Sequence, residues 1–124
     1  MGLLIDTQSL VWMVTLPEKL GRGVHAALDD PDQPIFVSVA TAFEYADLNR
    51  RGRFGADLPL DPVLSLLGAA VLPLPAETWR LVEALPDLHR DPVDRMLIAH
   101  AIHADLTLVT ADRTMRQYPV RSLW

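Results

Sequence analysis

The chain has 124 residues, half of them hydrophobic, a formal charge of −5 and no cysteine. That size suits one domain with one core, spanning residues 1–124, and the lack of cysteine excludes disulfides, thiolate metal sites and a cysteine nucleophile. No apolar run reaches the ~18 residues needed to span a bilayer, and Met1 to Asp6 lacks a secretory pattern, so a soluble, cytoplasmic protein with no membrane partner is expected. The acidic balance argues against a broad basic surface for nucleic acid, though not against a nuclease.

In chain order, Leu3-Leu4-Ile5 reads as a short buried strand, and Leu10 to Val14 as a helical turn or short helix interrupted at Pro17. Gly21 to Asp30 supports a helix with Val24, Ala27 and Leu28 on one side, and Ile35-Phe36-Val37 is a second strand. Ser38 suits the N-cap of a helix to about Arg50, with Gly52 as its stop. Asp61-Pro62 suggests a capping acid and a proline at the first helical position, opening a helix to about Gly68. Val71-Leu72 is a weak strand, and Ala76 to Leu85 a helix. Asp91-Pro92 again suggests cap and proline, here for a helix to about His103. Leu106 to Val109 is a strand, Asp112 to Gln117 a short helix, and Val120 to Leu123 an edge strand. Short aliphatic strands separated by helices indicate an α/β fold: a three-layer α/β/α domain around a short, mostly parallel sheet of about four or five strands.

Asp6, Glu44, Asp94 and Asp112 border segments that should be buried, where an unpaired carboxylate is costly. In a doubly wound sheet these positions share the edge where strand carboxyl ends meet helix N-termini. Two like charges ~4 Å apart repel by about 4 kcal/mol at an effective dielectric of 20, and a hard cation removes that cost. Mg²⁺, with Mn²⁺ as a substitute, suits oxygen ligands and leaves positions for water and phosphate, as metal-assisted phosphodiester hydrolysis requires. Removing the four acids from the count leaves twelve acids against eleven bases, so most of the negative charge belongs to this group.

Each acid also has a structural reading. Asp91 is explained as an N-cap, Asp94 as a dipole-favoured acid in the first turn, and Asp112 as a cap for the last short helix. An acid directly after the first strand, Asp6, has little evident structural use, and Glu44 lies between Ala40 and Leu48 on its helix. Thr7, Ser38 and Thr110 are hydroxyls placed to orient carboxylates, although Ser38 also serves as a cap. Arg50 and Arg51, with Arg53, are candidates for RNA phosphates or a partner's acids. Arg95 and Arg113, beside the proposed ligands, are stronger phosphate candidates. His25, His89, His100 and His103 have no HxH or HExxH spacing and read as surface or satisfied residues.

The ordered segments Leu3-Leu4-Ile5-Asp6-Thr7, Val37-Ser38 leading to Phe43-Glu44, His89-Arg90-Asp91-Pro92-Val93-Asp94-Arg95-Met96-Leu97-Ile98-Ala99 and Leu108-Val109-Thr110-Ala111-Asp112-Arg113 resemble those of PIN-domain ribonucleases. In particular they resemble the VapC toxins of bacterial type II toxin–antitoxin systems. The resemblance implies a PIN-like fold, with Asp6, Glu44, Asp94 and Asp112 as an acidic quartet binding Mg²⁺ and Asp91 as an accessory acid. It further implies a homodimer, an RNA substrate cleaved by metal-activated water, and inhibition by a cognate VapB-type antitoxin. Gln8-Ser9, Val93 and His100 depart from residues common in that family, and none of them removes a carboxylate.

The other readings are a catalytically inactive PIN-fold binding module and a receiver-like signalling domain. A receiver needs a strand-end lysine, and Lys19 is the only lysine. A haloacid-dehalogenase-type phosphotransferase would need a second acid at position 8, where Gln8 stands.

Overall fold

Five strands form one all-parallel sheet in the order β3-β2-β1-β4-β5. The computed structural model describes residues 1–124. The strands are β1 (Leu3–Ile5), β2 (Ile35–Ser38), β3 (Ala69–Leu72), β4 (Thr107–Val109) and β5 (Ser122–Leu123). Between them lie α1 (Thr7–Thr15), α2 (Arg22–Leu28), α3 (Val39–Arg50), α4 (Leu60–Leu67), α5 (Thr78–Ala84) and α6 (Pro92–Ala104), with 3₁₀ turns at Pro17–Lys19 and Met115–Gln117. No helix is long and apolar enough to cross a membrane.

Strand alternation divides the core between the two faces. Leu3, Ile5, Val37 and Val109 pack with Leu10 of α1, Val24 of α2, Tyr45 of α3 and Val63 of α4. On the other face Leu4 and Leu108 pack with Leu97, Ile98 and Ala101 of α6, and with Met115 and Tyr118. Because successive residues of an interior strand face opposite covered layers, such strands are mostly apolar, hence the unbroken Leu-Leu-Ile of β1. Full burial of each such side chain contributes about 1.5–3 kcal/mol.

The expected element order holds, with three local corrections. α4 starts at Leu60 rather than Pro62, and Pro59 at its N-cap supplies no side-chain bond. Leu60, Val63, Leu64 and Leu67 form an i, i+3, i+4, i+7 stripe against the core, so packing draws Leu60 into the helix. Asp61 therefore sits inside the first turn instead of capping it. The segment from Asp112 to Gln117 forms only a 3₁₀ turn, over Met115–Gln117, which the Asp112 carboxylate precedes, accepting from the N–H groups of Thr114 and Met115. The last strand is confined to Ser122 and Leu123.

Candidate metal centre at the carboxyl edge of the sheet

From β1 the sheet extends to β2 and β3 on one side and to β4 and β5 on the other, so the topological switch lies between β1 and β4. Asp6 leaves the end of β1 and is tied to its neighbour strand, its N–H donating to the Val109 carbonyl at 3.0 Å. Asp112 follows β4, Asp94 lies in the first turn of α6, and Glu44 projects from α3. All four, together with Asp91, line one cavity of about 690 Å³. Val11, Trp12, Leu48 and Phe54 form its apolar wall, and Arg53 also lines it.

Capping and clustering turn out to be compatible, since a carboxylate has two oxygens. Asp6 Oδ1 accepts from Ser9 N–H at 2.8 Å and caps α1, a structural use that the sequence did not suggest. Asp112 Oδ1 accepts from Thr114 and Met115 N–H, at 2.8 and 3.1 Å, while its Oδ2 meets His89. Asp91 Oδ1 accepts from Val93 and Asp94 N–H, capping α6 behind Pro92. Glu44 forms no ion pair within the chain.

Burial raises the Asp6 carboxyl above its ordinary 3.8, against hydrogen bonds from Ser9 and Thr110 that favour ionisation, and the Asp112 charge raises it further. Asp94 is pushed up to about 6, first by burial and then by the Asp91 charge; His89 opposes the shift, while Asp6 and Asp112 add to it. Asp112 moves the other way. Burial works to raise it, but bonds from His89 and from the Met115 and Thr114 N–H groups outweigh that and hold it below 3.8. Strongly perturbed carboxyls in a cleft mark a site that gains from a cation.

His89 is the residue that sequence reasoning missed. Its Nε2 lies 2.9 Å from Asp112 Oδ2 and 3.2 Å from Asp94 Oδ2. Side-chain atoms of His89, Asp94 and Asp112 that could bind a metal all fall within 4.8 Å of one another. Its only sequence signal is its place two residues before the cap Asp91.

The hydroxyls divide. Thr110 bonds the Asp6 carboxyl and accepts the Asp112 N–H at 3.0 Å, so it joins two of the acids. Thr7 lines the cavity, but its hydroxyl donates to Thr41 at 3.1 Å. Ser38 lies outside it, capping α3 through Ala40 N–H and meeting His100 Nδ1 at 2.9 Å.

The arginines are placed differently from what their spacing suggested. Arg95 Nη1 donates to the Pro86 carbonyl and the Tyr118 hydroxyl, and Nη2 to the carbonyls of Val82 and Leu85. Both terminal nitrogens thus close the carbonyl end of α5, whose last acceptors have no partner within the helix, rather than facing the cavity. Arg50 and Arg51 pair with Asp47 at 3.1 and 3.4 Å on exposed α3, and Arg113 lines a separate surface depression with Arg116. Of the arginines considered, only Arg53 lines the acidic cavity.

The donor set is chemically suited to a hard divalent cation: carboxylate oxygens from four segments, several with one oxygen already fixed by backbone N–H groups.

Comparison with known proteins bears on the family and the fold. The chain is 29% identical over 118 residues to ribonuclease VapC22 of Mycobacterium tuberculosis (strain ATCC 25618 / H37Rv), covering 93% of this chain and 90% of that protein. Its fold is similar to that in the crystal structure of VapBC2 from Rickettsia felis bound to a DNA fragment from their promoter, with TM-score 0.69 and 15% identity over the whole of both chains. It is also similar to that in DNA-bound VapBC from Salmonella typhimurium, with TM-score 0.66, 17% identity, and coverage of 98% of this chain and 96% of that one. The PIN domain family model matches residues 3–120, almost the full length. With its parallel sheet, its acids at the strand ends and that match, the chain belongs to the PIN domain family.

Proposed function

We propose that the chain is an Mg²⁺-dependent endoribonuclease and the toxin of a type II toxin–antitoxin pair. The observation that carries this reading is the convergence of Asp6, Glu44, Asp94 and Asp112 on one cavity at the switch point of the sheet. Membership of the PIN family and similarity to a protein named a ribonuclease support it.

Asp94 and Asp112 would hold the cation with Asp6, and Glu44 would complete the site from α3. Mg²⁺, or Mn²⁺ in its place, supplies charge to neutralise the scissile phosphate and makes water a usable nucleophile at neutral pH. The chain's own residues do the positioning. The Ser9 N–H and the Thr110 hydroxyl favour the ionised form of Asp6 against its burial, and Thr114 and Met115 N–H groups fix Asp112. Arg53, which lines the cavity, would receive a backbone phosphate of RNA entering it, with Trp12 and Phe54 as a surface for bases. On the example of the family, in-line attack by water with departure of the 3′ oxygen would leave 3′-hydroxyl and 5′-phosphate ends.

The same cavity, lined by five acids, suits a basic segment of a VapB-type antitoxin. A homodimer acting in the cytoplasm completes the proposal.

Incubation of the purified protein with several RNAs, with Mg²⁺ or with EDTA, tests the reading, alongside Asp6→Asn and Asp94→Asn. Metal-dependent cleavage lost in both variants is expected. Cleavage that persists in them would refute the site.

A further inference from the structure

His89 occupies the gap between two of the proposed ligands, and its hydrogen-bonding pattern defines what it does there. Its Nδ1 accepts the Asp91 N–H at 3.1 Å. An accepting Nδ1 carries no hydrogen, so the ring hydrogen is on Nε2, the atom that faces Asp112 Oδ2 at 2.9 Å and Asp94 Oδ2 at 3.2 Å. In this orientation Nε2 donates to the acids and has no lone pair to offer a metal. The hydrogen on Nε2 lies roughly 2 Å from Asp112 Oδ2 and farther from Asp94 Oδ2, on the side of the two carboxylates where a bridging Mg²⁺, ~2.0–2.1 Å from each oxygen, would have to sit.

We infer that His89 competes with the divalent cation for Asp94 and Asp112, so that the site loads fully only when the imidazole swings away from them. The inference rests on the metal-site reading above and concerns how that site is controlled.

The surrounding loop is built for such a movement. Leu88 and His89 N–H groups both donate to the Tyr118 hydroxyl, at 3.1 and 2.7 Å, and Arg95 donates to the same oxygen at 3.1 Å. The backbone is therefore anchored independently of the imidazole. The polar contacts of the ring are the Asp91 N–H and the two carboxylates alone, and although the His89 side chain is only 17% exposed, the flanking Leu88 and Arg90 are exposed.

A ligand and a competitor have opposite signatures. Removing a ligand weakens metal binding, whereas removing a competitor strengthens it. Mn²⁺ binding to the full chain, followed by electron paramagnetic resonance of free Mn²⁺ at one fixed pH above neutrality, separates them. For His89→Ala we expect Mn²⁺ to bind on the order of tenfold more tightly than in the wild type, the scale of a hydrogen bond to charged groups. Unchanged or weaker binding in a folded His89→Ala overturns the inference. Imidazole ¹⁵N spectra of the wild type give a second reading that needs no substitution. The His89 Nε2 resonance should move as Mg²⁺ saturates the site, and an unmoved resonance overturns the inference. If neither protein binds Mn²⁺, the metal-site reading itself fails, and the inference with it.

Discussion

Asp94→Asn should make the protein more stable at neutral pH while disabling the site. The Asp94 carboxyl rises from 3.8 to about 6 on folding, chiefly because burial and the Asp91 charge disfavour its ionised form. At 1.36 kcal/mol per pH unit, that difference corresponds to about 3 kcal/mol of lost stability once the group is ionised in both states. The side chain is only 25% exposed, so solvent screening removes a minor part of this cost. The sign follows from the direction of the shift. Below 3.8 the carboxyl is protonated folded and unfolded, and no cost arises; between 3.8 and about 6 the cost grows; above that range it is complete. Asparagine carries no charge, so thermal unfolding in EDTA at pH 7.5 should show the variant several degrees above the wild type. Near pH 3.5, provided both proteins remain folded, the two should nearly coincide. Mg²⁺ should narrow the gap at pH 7.5 by stabilising only the wild type. A variant that is destabilised equally at both pH values would refute the reasoning.

Three further outcomes follow from contacts around the site. Arg95→Ala should cost about 2–3 kcal/mol in urea unfolding by leaving α5 carbonyls unpaired, and a loss below ~0.5 kcal/mol would contradict its role as a closing group. In an Asp6→Asn background with EDTA, Arg53→Ala should reduce the slope of log affinity for RNA against log salt by about 0.7. Arg50→Ala, whose guanidinium is paired with Asp47, should change it less; equal slopes for all proteins would count against the cavity as an RNA path. Thr110→Val removes a bond that favours ionised Asp6, so metal binding should need a higher pH than in the wild type, and an unmoved acid limb would show that the hydroxyl does not orient that carboxylate.

The elements were legible where local chemistry and packing agree. Leu3-Leu4-Ile5 must be buried on both faces, and Ser38 and Asp91 cap their helices as their types suggest. The quartet was legible because four acids at the ends of apolar segments have few places to go in a parallel sheet. What escaped was set by tertiary contacts. His89 meets Asp112 across 23 positions, and a motif search that asks for fixed histidine spacing cannot register such a pair. Arg95 stands beside a proposed ligand in the chain, yet on α6 its side chain runs toward the end of α5. Asp61-Pro62 has the pattern of a cap, but the apolar stripe beginning at Leu60 starts the helix earlier. Asp6 shows the converse: its Oδ1 caps α1 and the residue also lines the acidic cavity.

The central claim is that the four acids form one divalent-cation site, and Mn²⁺ binding to wild type and Asp94→Asn at pH 7.5 tests it most directly. Because the variant is expected to be the more stable of the two, a loss of binding could not be ascribed to unfolding. The expected result is at least tenfold weaker Mn²⁺ binding in Asp94→Asn, the scale on which removal of one charged partner is felt. Equal Mn²⁺ affinity in the two proteins would contradict the site.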